Sequence, residues 1–458
     1  MSEMIREALS RLTGKKPMTR KRLYHYRGVD EWTGLRLHLR TEDEGKGILI
    51  INASRVIFLN RTATEYVRLF IEGKDSKEVA KEISEEFRVD ENTALQDYEE
   101  TIYKITTIAK TDDVCPVTYL GFEKLKPFEK SLSAPLRMDL ALAYKCNNAC
   151  VHCYVEENRK VEELSTEQWK QVIDKLVAIG VPHIVFTGGE PTLREDLPEL
   201  IRYAEQKEVV TGLVTNGRKL KDEEYLDELV KAGLDHIQIT LESHIEKVHD
   251  EITKTQGSWI ETVQGVKNAI ETPIYTITNT TLNQKNVDSI LETVEFIHDL
   301  GVEQFACNSI IYSGKARGMV ADFALDEKTL KKILPEIRDY AMKLGMKIIW
   351  YTPTQYCLLN PLELGLGIRF CSAARINMCT EPNGDVIPCQ SYFASLGNIL
   401  KDDWEKIWNN PLCDEIRERR YAPEKCRDCP ELNICGAGCP LQMKNGKYVC
   451  MDATSSTI

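Results

Sequence analysis

The sequence contains no apolar run long enough to cross a lipid bilayer, and its first residues, MSEMIREALSRLTGKKPMTRKR, contain no apolar signal core. A membrane-spanning helix needs about 20 consecutive apolar residues, and a secretion signal needs a shorter apolar core behind a basic start. These two absences argue against a membrane or secreted protein. They predict a cytoplasmic chain without a membrane partner.

An excess of positive charge is also missing. The chain has 59 Lys and Arg against 71 Asp and Glu, which gives a formal net charge of −12. Proteins that bind nucleic acid normally present a basic surface, so this balance argues against a nucleic-acid partner. The basic stretch from Lys15 to Arg22 is interpreted as part of a solvated tail.

The first group of cysteines lacks a fourth member. Cys146, Cys150 and Cys153 are spaced C-x3-C-x2-C, and the next cysteine is Cys307. Zinc ions and cubane iron–sulfur clusters normally take four protein ligands. Three thiolates predict a four-iron cluster with one open iron, or a zinc ion completed by a distant residue such as His152.

Cysteine itself is abundant, with 15 in a chain of 458 residues. Most of them fall in two short regions, and without a secretion signal this clustering favours metal binding over disulfides. The length exceeds what one core usually spans, so several domains are expected.

Apolar patterns divide the chain into segments. In residues 45–60 a hairpin is predicted, and three amphipathic helices follow it in the winged-helix style. The predicted segments are a flexible basic N-terminus (1–39), a small recognition domain (40–112), a linker (113–135), an α/β barrel (136–350), a bridge (351–370) and a cysteine-rich domain (371–458).

The barrel segment alternates apolar runs such as RMDLALAY and HIVFTGGE with amphipathic stretches such as STEQWKQVIDKLVAIG. This alternation predicts an α/β fold with a parallel sheet, whose chemistry collects at the C-terminal ends of the strands. Cys146 directly follows the first strand. After about residue 370 the periodicity ends, so the last segment is expected to need metal ions to fold.

With Tyr154 behind the third cysteine, the C-x3-C-x2-C motif resembles that of the radical SAM family. The resemblance implies a partial (β/α)6 barrel and a 4Fe–4S cluster on the three cysteines, with S-adenosyl-L-methionine on the fourth iron. It also implies a flavodoxin or ferredoxin reductant, and a 5′-deoxyadenosyl radical that abstracts a hydrogen atom.

Other positions resemble the family's cofactor contacts. Residues 187–191 read TGGEP after the second strand, and residues 215–217 read TNG after the third. Asn286 and the segment 314–317 resemble later elements, although Arg317 also fits a surface charge. No general base is assigned. The resemblance implies cofactor binding by Tyr154, Gly188, Gly189, Glu190, Pro191, Asn216, Thr240, Glu242 and Ser243.

The C-terminal cysteines resemble the SPASM extension of radical SAM enzymes, with a zinc ribbon as the alternative. Cys371 precedes Gly384 and Cys389, and residues 426–439 read CRDCPELNICGAGC ahead of Cys450. The resemblance implies two auxiliary iron–sulfur clusters, a distal one on Cys426, Cys429, Cys435 and Cys450, and a proximal one on Cys371, Cys389 and Cys439. Cys379 is predicted as the fourth proximal ligand; without it, one iron would be open to substrate.

Four cysteines remain outside these sets, and they are interpreted as buried small hydrophobic residues, with a site role conceivable for the strand-end Cys307. They are Cys115, Cys307, Cys357 and Cys413.

The segment 40–112 resembles the PqqD-like domain of enzymes that modify ribosomal peptides. That resemblance implies that a leader peptide adds a strand to the sheet edge and packs on the last helix. A generic winged helix, which stabilises the enzyme or once bound DNA, is the alternative.

Taken together, the motifs predict a radical SAM oxidoreductase for ribosomal peptide (RiPP) maturation that acts on a precursor peptide with a leader. A thioether cross-link, as in sactipeptide or ranthipeptide maturases, is favoured over a carbon–carbon link, as in PqqE-type enzymes. Two other functions stay open: maturation of a small haem or metal cofactor precursor, and a non-enzymatic iron–sulfur electron carrier or zinc-stapled binding protein.

Overall fold

The computed structural model describes most of the chain beyond residue 21, in two compact units at residues 1–123 and 124–458. The described ranges are 22–29, 32–33, 35–42, 45–52, 55–110, 132–156, 159–318, 323–444 and 447–448. Most of the predicted linker, together with Cys115 and Cys450, therefore lies outside them. Within these ranges, no helix has the length and apolar character needed to span a bilayer.

The first unit is a four-stranded antiparallel sheet in the order β1-β2-β3-β4, followed by three helices. The strands are β1 (Leu23–Arg27), β2 (Arg36–Thr41), β3 (Gly47–Ile51) and β4 (Arg55–Leu59). The helices are α1 (Arg61–Ile71), α2 (Ser76–Phe87) and α3 (Glu91–Lys110). The predicted hairpin and the three predicted helices are confirmed.

The predicted boundary at residue 40 is wrong, because β1 and β2 lie inside the range expected to be a flexible terminus. Leu35, Leu37 and Leu39 alternate at period two and are all buried in the core of this unit. Such alternation is typical of a half-buried strand. Residues 35–40 read LRLHLR, so the alternating pattern of a strand is present in the sequence.

Local capping residues set where the helices begin. The Asn60 side chain accepts a hydrogen bond from Ala63 N at the start of α1. Asp75 and Glu78 form a reciprocal capping box at the start of α2. Each cap satisfies backbone N–H groups that the first helical turn leaves without a partner.

The second unit contains a ten-stranded sheet in the open order β11-β10-β9-β8-β7-β6-β5-β12-β13-β14. Seven parallel strands follow the chain order, and each matches a predicted apolar run. The resemblance implied a (β/α)6 barrel, which has one strand fewer. The seven strands are β5 (Arg137–Ala141), β6 (His183–Thr187), β7 (Val210–Thr215), β8 (His236–Thr240), β9 (Tyr275–Thr281), β10 (Gln304–Asn308) and β11 (Lys347–Trp350).

Helices connect these strands, as expected for parallel β/α units. They are α4 (Thr166–Ala178), α5 (Leu197–Gln206), α6 (Glu223–Ala232), α7 (Glu246–Thr253), α8 (Ser258–Ile270), α9 (Ile290–Asp299) and α10 (Glu327–Lys343). The eight-residue α7 was not predicted, since it is short and polar, and it buries only His249, Ile252 and Thr253.

The cysteine-rich segment packs in the same compact unit as the barrel. Its first strand, β12 (Asn377–Thr380), pairs in parallel with β5, and the short strands β13 (Asp385–Ile387) and β14 (Gly397–Asn398) extend the sheet. The remaining elements are α11 (Trp404–Trp408), α12 (Pro411–Arg417), α13 (Leu432–Cys435), β15 (Met443–Lys444) and β16 (Lys447–Tyr448).

Candidate cluster and cofactor site

The loop that contains the first three cysteines leaves β5 and packs against the glycines after β6. Gly189 N donates to Ala143 O at 2.7 Å. Gly188 has φ +139°, and a Cβ there would come within 2.2 Å of Ala143 O. A Cβ on Gly189 would come within 2.5 Å of Lys145 O. Glycine therefore lets the two backbones approach closely at this point.

The tip of this loop is held by Asn216 and Arg218, which both follow β7. Arg218 Nη1 donates to Asn147 O at 2.5 Å and to Asn148 Oδ1 at 2.9 Å, while its Nε donates to Glu261 at 2.6 Å. Asn216 Nδ2 donates to Asn147 Oδ1 at 2.7 Å. Asn216 was predicted from the TNG turn, whereas Arg218 was missed. Its only signal in the sequence is its position directly behind that turn.

His152, between the second and third cysteines, is held from the end of β8. Its Nε2 lies 3.1 Å from Glu242 Oε1, and its ring stacks on Phe323 with centroids 6.3 Å apart. Glu242 Oε2 accepts a hydrogen bond from Thr281 N at 3.0 Å. Across the described ranges, no three Cys, His, Asp or Glu side chains converge closely enough to hold a single metal ion. His152 is therefore held against Glu242 and Phe323.

The three thiols of the loop are largely removed from water. Burial raises the pKa of Cys146 to about 11. Burial also raises the pKa of Cys150, with a further contribution from Glu242, and that of Cys153. Such thiols keep their protons unless a metal centre stabilises the thiolate. The donor set therefore fits a cluster with three cysteine ligands.

A cavity of about 720 Å³ adjoins these thiols at the C-terminal ends of the strands. A cavity of this size is typical of a small-molecule site. Of the predicted cofactor residues, those that line it are Tyr154, Gly188, Gly189, Asn216 and Thr240.

The other four predicted cofactor residues do not line the cavity, and the geometry gives them supporting roles instead. They are Glu190, Pro191, Glu242 and Ser243. The Glu190 carboxylate is fully buried and accepts hydrogen bonds from Thr215 Oγ1 at 2.7 Å and from Asn216 N at 2.8 Å. Burial raises its pKa. Pro191 begins the 3₁₀ turn at Pro191–Leu193, and Ser243 Oγ accepts from Ile245 N at 3.0 Å.

Sequence reasoning missed several polar residues that line the cavity from inside the barrel. Gln238, Asn279 and Asn308 lie on β8, β9 and β10, and Asn279 Nδ2 donates to Asn308 Oδ1 at 2.9 Å. The sequence did contain a signal for these residues. Alternate residues of a strand face the interior of a barrel, so the polar residue in the middle of a strand such as HIQIT indicates a position inside it.

The segment Gly314–Gly318 reaches the site. In the sequence it resembled only weakly a cofactor-side element of the family. A Cβ on Gly314 would come within 2.3 Å of Tyr154 O, and Lys315 lines the cavity. Arg317 Nε donates to Tyr312 O at 3.2 Å. Asn286 is buried and donates to Glu242 O at 2.9 Å, so it supports the strand ends rather than the cavity.

Three cysteines of the C-terminal segment line the same cavity, namely Cys371, Cys389 and Cys439. Burial raises the pKa of Cys389 to about 12 and that of Cys439 to about 11, and it also raises the pKa of Cys371 well above its usual value. Cys379 lies on β12 and does not line the cavity. It packs in a small apolar cluster with Ala141 and Ile387.

Among the predicted distal ligands, Cys429 N donates to Cys426 O at 3.2 Å, and Cys435 begins the turn at 436–438. Cys450 is outside the described residues. Cys307 and Cys413 are buried, as predicted. The same prediction is wrong for Cys357, whose side chain is exposed. It lies in a loop that contacts Cys435, since Tyr356 N donates to Cys435 Sγ at 3.3 Å.

Comparison with protein families gives two matches. Residues 140–297 match the radical SAM superfamily, and residues 371–430 match an iron–sulfur cluster-binding domain named SPASM. The Fe-coproporphyrin III synthase of Methanosarcina barkeri is 34% identical over 64% of this chain and 79% of its own length. The PqqA peptide cyclase of Bradyrhizobium diazoefficiens is 28% identical over 70% of this chain and 85% of its own length.

Among solved structures, Streptococcus suis SuiB bound to its precursor peptide SuiA is similar in fold. The TM-score is 0.65 at 19% identity, and the match covers 91% of this chain and 97% of SuiB. At this identity the likeness concerns the fold.

Proposed function

The chain belongs to the radical SAM superfamily, as an enzyme with 4Fe–4S clusters, S-adenosyl-L-methionine and a SPASM extension, and from this premise we propose that it cross-links a precursor peptide. The bond is a thioether or a carbon–carbon link. The observation that carries this proposal is an N-terminal unit whose sheet ends in the edge strand β4.

We assign the first cluster to Cys146, Cys150 and Cys153, with the cofactor in the adjoining cavity. When bound there and reduced by flavodoxin or ferredoxin, cluster and cofactor together supply a 5′-deoxyadenosyl radical. The protein's own part is to hold the loop through Arg218 and Glu242. The backbone of Gly188 and Gly189 and the side chains of Asn216 and Thr240 line the cofactor's space.

The proximal cluster is assigned to Cys371, Cys389 and Cys439, whose thiols line the same cavity. Three thiolates leave one iron for a further ligand, for instance a substrate group. Cys379 packs behind the cavity wall, in the apolar cluster of Ala141 and Ile387.

The peptide is proposed to pair with β4. This strand lies at one edge of the four-stranded sheet, and its Val56 side chain is 43% exposed. An edge strand presents unpaired N–H and C=O groups, which an extended peptide satisfies by adding one strand. On the last helix, α3, Tyr103 is 65% exposed and offers an apolar contact. The fold match to SuiB extends over 91% of the chain, which supports a peptide substrate.

Hydrogen exchange on the full-length chain tests the docking step. With short peptides encoded beside its gene as probes, the amides of β4 should gain protection on binding. The amides of β1, at the other edge of the same sheet, serve as the internal control. Protection of β1 alone, or of neither edge by a peptide that binds, would contradict docking on β4.

Mass spectrometry of the same peptides, co-expressed with the protein, tests the reaction. Either cross-link removes two hydrogen atoms, so the expected product is about 2 Da lighter and carries the new bond outside its leader. A peptide of unchanged mass, when the protein still releases 5′-deoxyadenosine, would count against cross-linking.

A second candidate function is maturation of an iron-porphyrin precursor. It is favoured by the 34% identity to the Fe-coproporphyrin III synthase. The two candidates separate in one anaerobic assay with reductant and S-adenosyl-L-methionine. Under the first candidate, the peptide should stimulate release of 5′-deoxyadenosine and should itself change mass. Under the second, an iron tetrapyrrole precursor should do so and should yield an iron coproporphyrin.

A further inference from the structure

Arg137, at the start of β5, and Asn377, at the start of β12, lie opposite each other on two paired strands. Both residues line the cavity beside the cysteine loops. They share one partner, Asp139, which is fully buried two residues further along β5. Arg137 Nε donates to Asp139 Oδ1 at 2.7 Å, and Asn377 Nδ2 donates to Asp139 Oδ2 at 3.1 Å. One buried carboxylate therefore orients two polar groups of the cavity wall.

Asp139 also determines which atoms of its two partners are left for a ligand. An ionised carboxylate only accepts hydrogen bonds, so the amide of Asn377 has to turn its NH2 group toward Asp139. The other amide atom, Asn377 Oδ1, is buried and has no hydrogen-bond partner among the described residues. Arg137 donates through Nε, which leaves its two Nη groups without a hydrogen bond in the described part of the chain. The pair thus offers donors and an acceptor side by side.

The charges of this group favour a neutral ligand. Asp139 forms an ion pair with Arg137, so the two side chains together carry no net charge. A carboxylate ligand would be repelled by Asp139 and would leave Asn377 Oδ1 without a donor. A peptide group is neutral, accepts through its C=O and donates through its N–H. It matches both sides of the pair, and its N–H removes the cost of burying an acceptor without a partner.

The pair lies beside the open side of the parallel sheet. β11 is the last strand at one edge of the sheet and is not paired with β5. Tyr351, directly after β11, lines the same cavity and is 41% exposed. This gap between β11 and β5 gives an extended chain a way to Arg137 and Asn377.

We propose that Arg137 and Asn377 form a subsite that binds one backbone peptide group of the substrate. The Nη groups of Arg137 donate to its carbonyl oxygen, and Asn377 Oδ1 accepts from its N–H. Asp139 is a positioning residue that holds both. The proposal rests on the proposed peptide substrate and adds the means by which the cavity holds its backbone. Because a backbone group is bound, the subsite places the chain without selecting a side chain.

The first test is kinetic and uses the reconstituted full-length enzyme with the peptide that gains the cross-link on co-expression. Asn377→Ala removes the acceptor, and Arg137→Lys keeps a charge beside Asp139 but loses the Nη donors. In each variant KM should rise about 3- to 10-fold, while kcat stays within about twofold of the wild type. The matched controls Asn409→Ala and Arg202→Lys change exposed side chains away from the cavity and should keep the wild-type KM. Wild-type KM in both test variants would overturn the subsite.

The second test replaces single peptide N–H groups of the substrate by ester oxygens, one position at a time near the cross-linked residue. With the wild-type enzyme, the ester at one position should raise KM about 3- to 10-fold, and with Asn377→Ala the same ester should have no further effect. This probe does not depend on whether a variant folds, because the wild type alone has to show the sensitive position. If no position is sensitive, or if the ester acts equally on both enzymes, the subsite is wrong although cross-linking stands.

Two further outcomes would also overturn the proposal. If changing an acidic side chain of the peptide to its amide raises KM for the wild type but not for Arg137→Lys, Arg137 binds a carboxylate instead of a peptide group. If the enzyme turns over an iron tetrapyrrole and no peptide, the subsite fails together with the proposed function.

Discussion

The loop of Cys146, Cys150 and Cys153 and the segment from 424 to 442 both supply thiols, but they are held in different ways. The first loop is fixed from the ends of two strands, by hydrogen bonds from Arg218 and Asn216 and by the ion pair of Glu242 with His152. The second segment contains only the four-residue α13 and two 3₁₀ turns, and Cys429 is exposed.

This difference separates a site that the protein shapes in advance from one that depends on its clusters. Helices of one turn are unstable without tertiary packing, since nucleation costs more than a few hydrogen bonds return. For such a segment the free energy of metal binding is largely free energy of folding. The first loop instead draws its order from the barrel, which has its own apolar core.

The largest effect is expected from Cys150→Ala. It removes a ligand of the cluster that holds the cofactor, so release of 5′-deoxyadenosine should fall to the level without enzyme. The release is measured by chromatography after anaerobic reaction with reductant. Cys413→Ala is the control and should react like the wild type. Wild-type release by Cys150→Ala would refute the radical mechanism.

The second-largest effect is expected when a chelator removes the iron, because amide exchange should then respond differently in the two regions. Amide exchange in 424–442 should accelerate by about a hundredfold or more, because local opening there is no longer opposed by bound metal. Exchange in 143–153 should change by less than about tenfold, since hydrogen bonds from the strand ends remain. Equal acceleration in both segments would show that the first loop also depends on its cluster.

Arg218→Ala tests the hydrogen bonds that hold the first loop. Residues that support metal ligands typically contribute about 10–100-fold to metal affinity or activity, so 5′-deoxyadenosine release should fall within that range. Iron content is measured alongside. Arg202→Ala, which removes an exposed arginine of α5, should behave as the wild type. If the two variants have the same activity and iron content, the hydrogen bonds of Arg218 have no role in the site.

The smallest effect is expected from Cys379→Ala. Its thiol packs against Ala141 and Ile387 and does not line the cavity, so iron content should stay at the wild-type value. Cys389→Ala, whose thiol lines the cavity, should lose about one third of the iron. Equal losses in the two variants would give Cys379 the fourth-ligand place that the sequence suggested.

The sequence predicted what depends on periodicity and on local motifs. The seven barrel strands, the hairpin of β3 and β4 and the three helices of the first unit follow from apolar spacing. The loop of Cys146 follows from its position behind the first strand. These features are local, so neighbouring residues carry the information.

What the sequence did not predict depends on contacts between distant residues. The hydrogen bonds that Thr215 and Asn216 donate to the Glu190 carboxylate, for example, join residues that lie far apart in the sequence. Cys357 was expected to be buried, but its loop folds onto Cys435 across 78 positions of sequence. β12 was missed because a four-residue strand such as NMCT gives almost no periodic signal, and only pairing with β5 reveals it.

The cavity beside Cys146 has a further consequence for a peptide substrate. At about 720 Å³ it matches the volume that encloses one drug-sized molecule, and part of that volume belongs to S-adenosyl-L-methionine. Only the few residues that form one bond therefore fit inside at a time. If the proposed precursor peptide carries several modified positions, they would enter the cavity one after another, with one bond formed in each turnover.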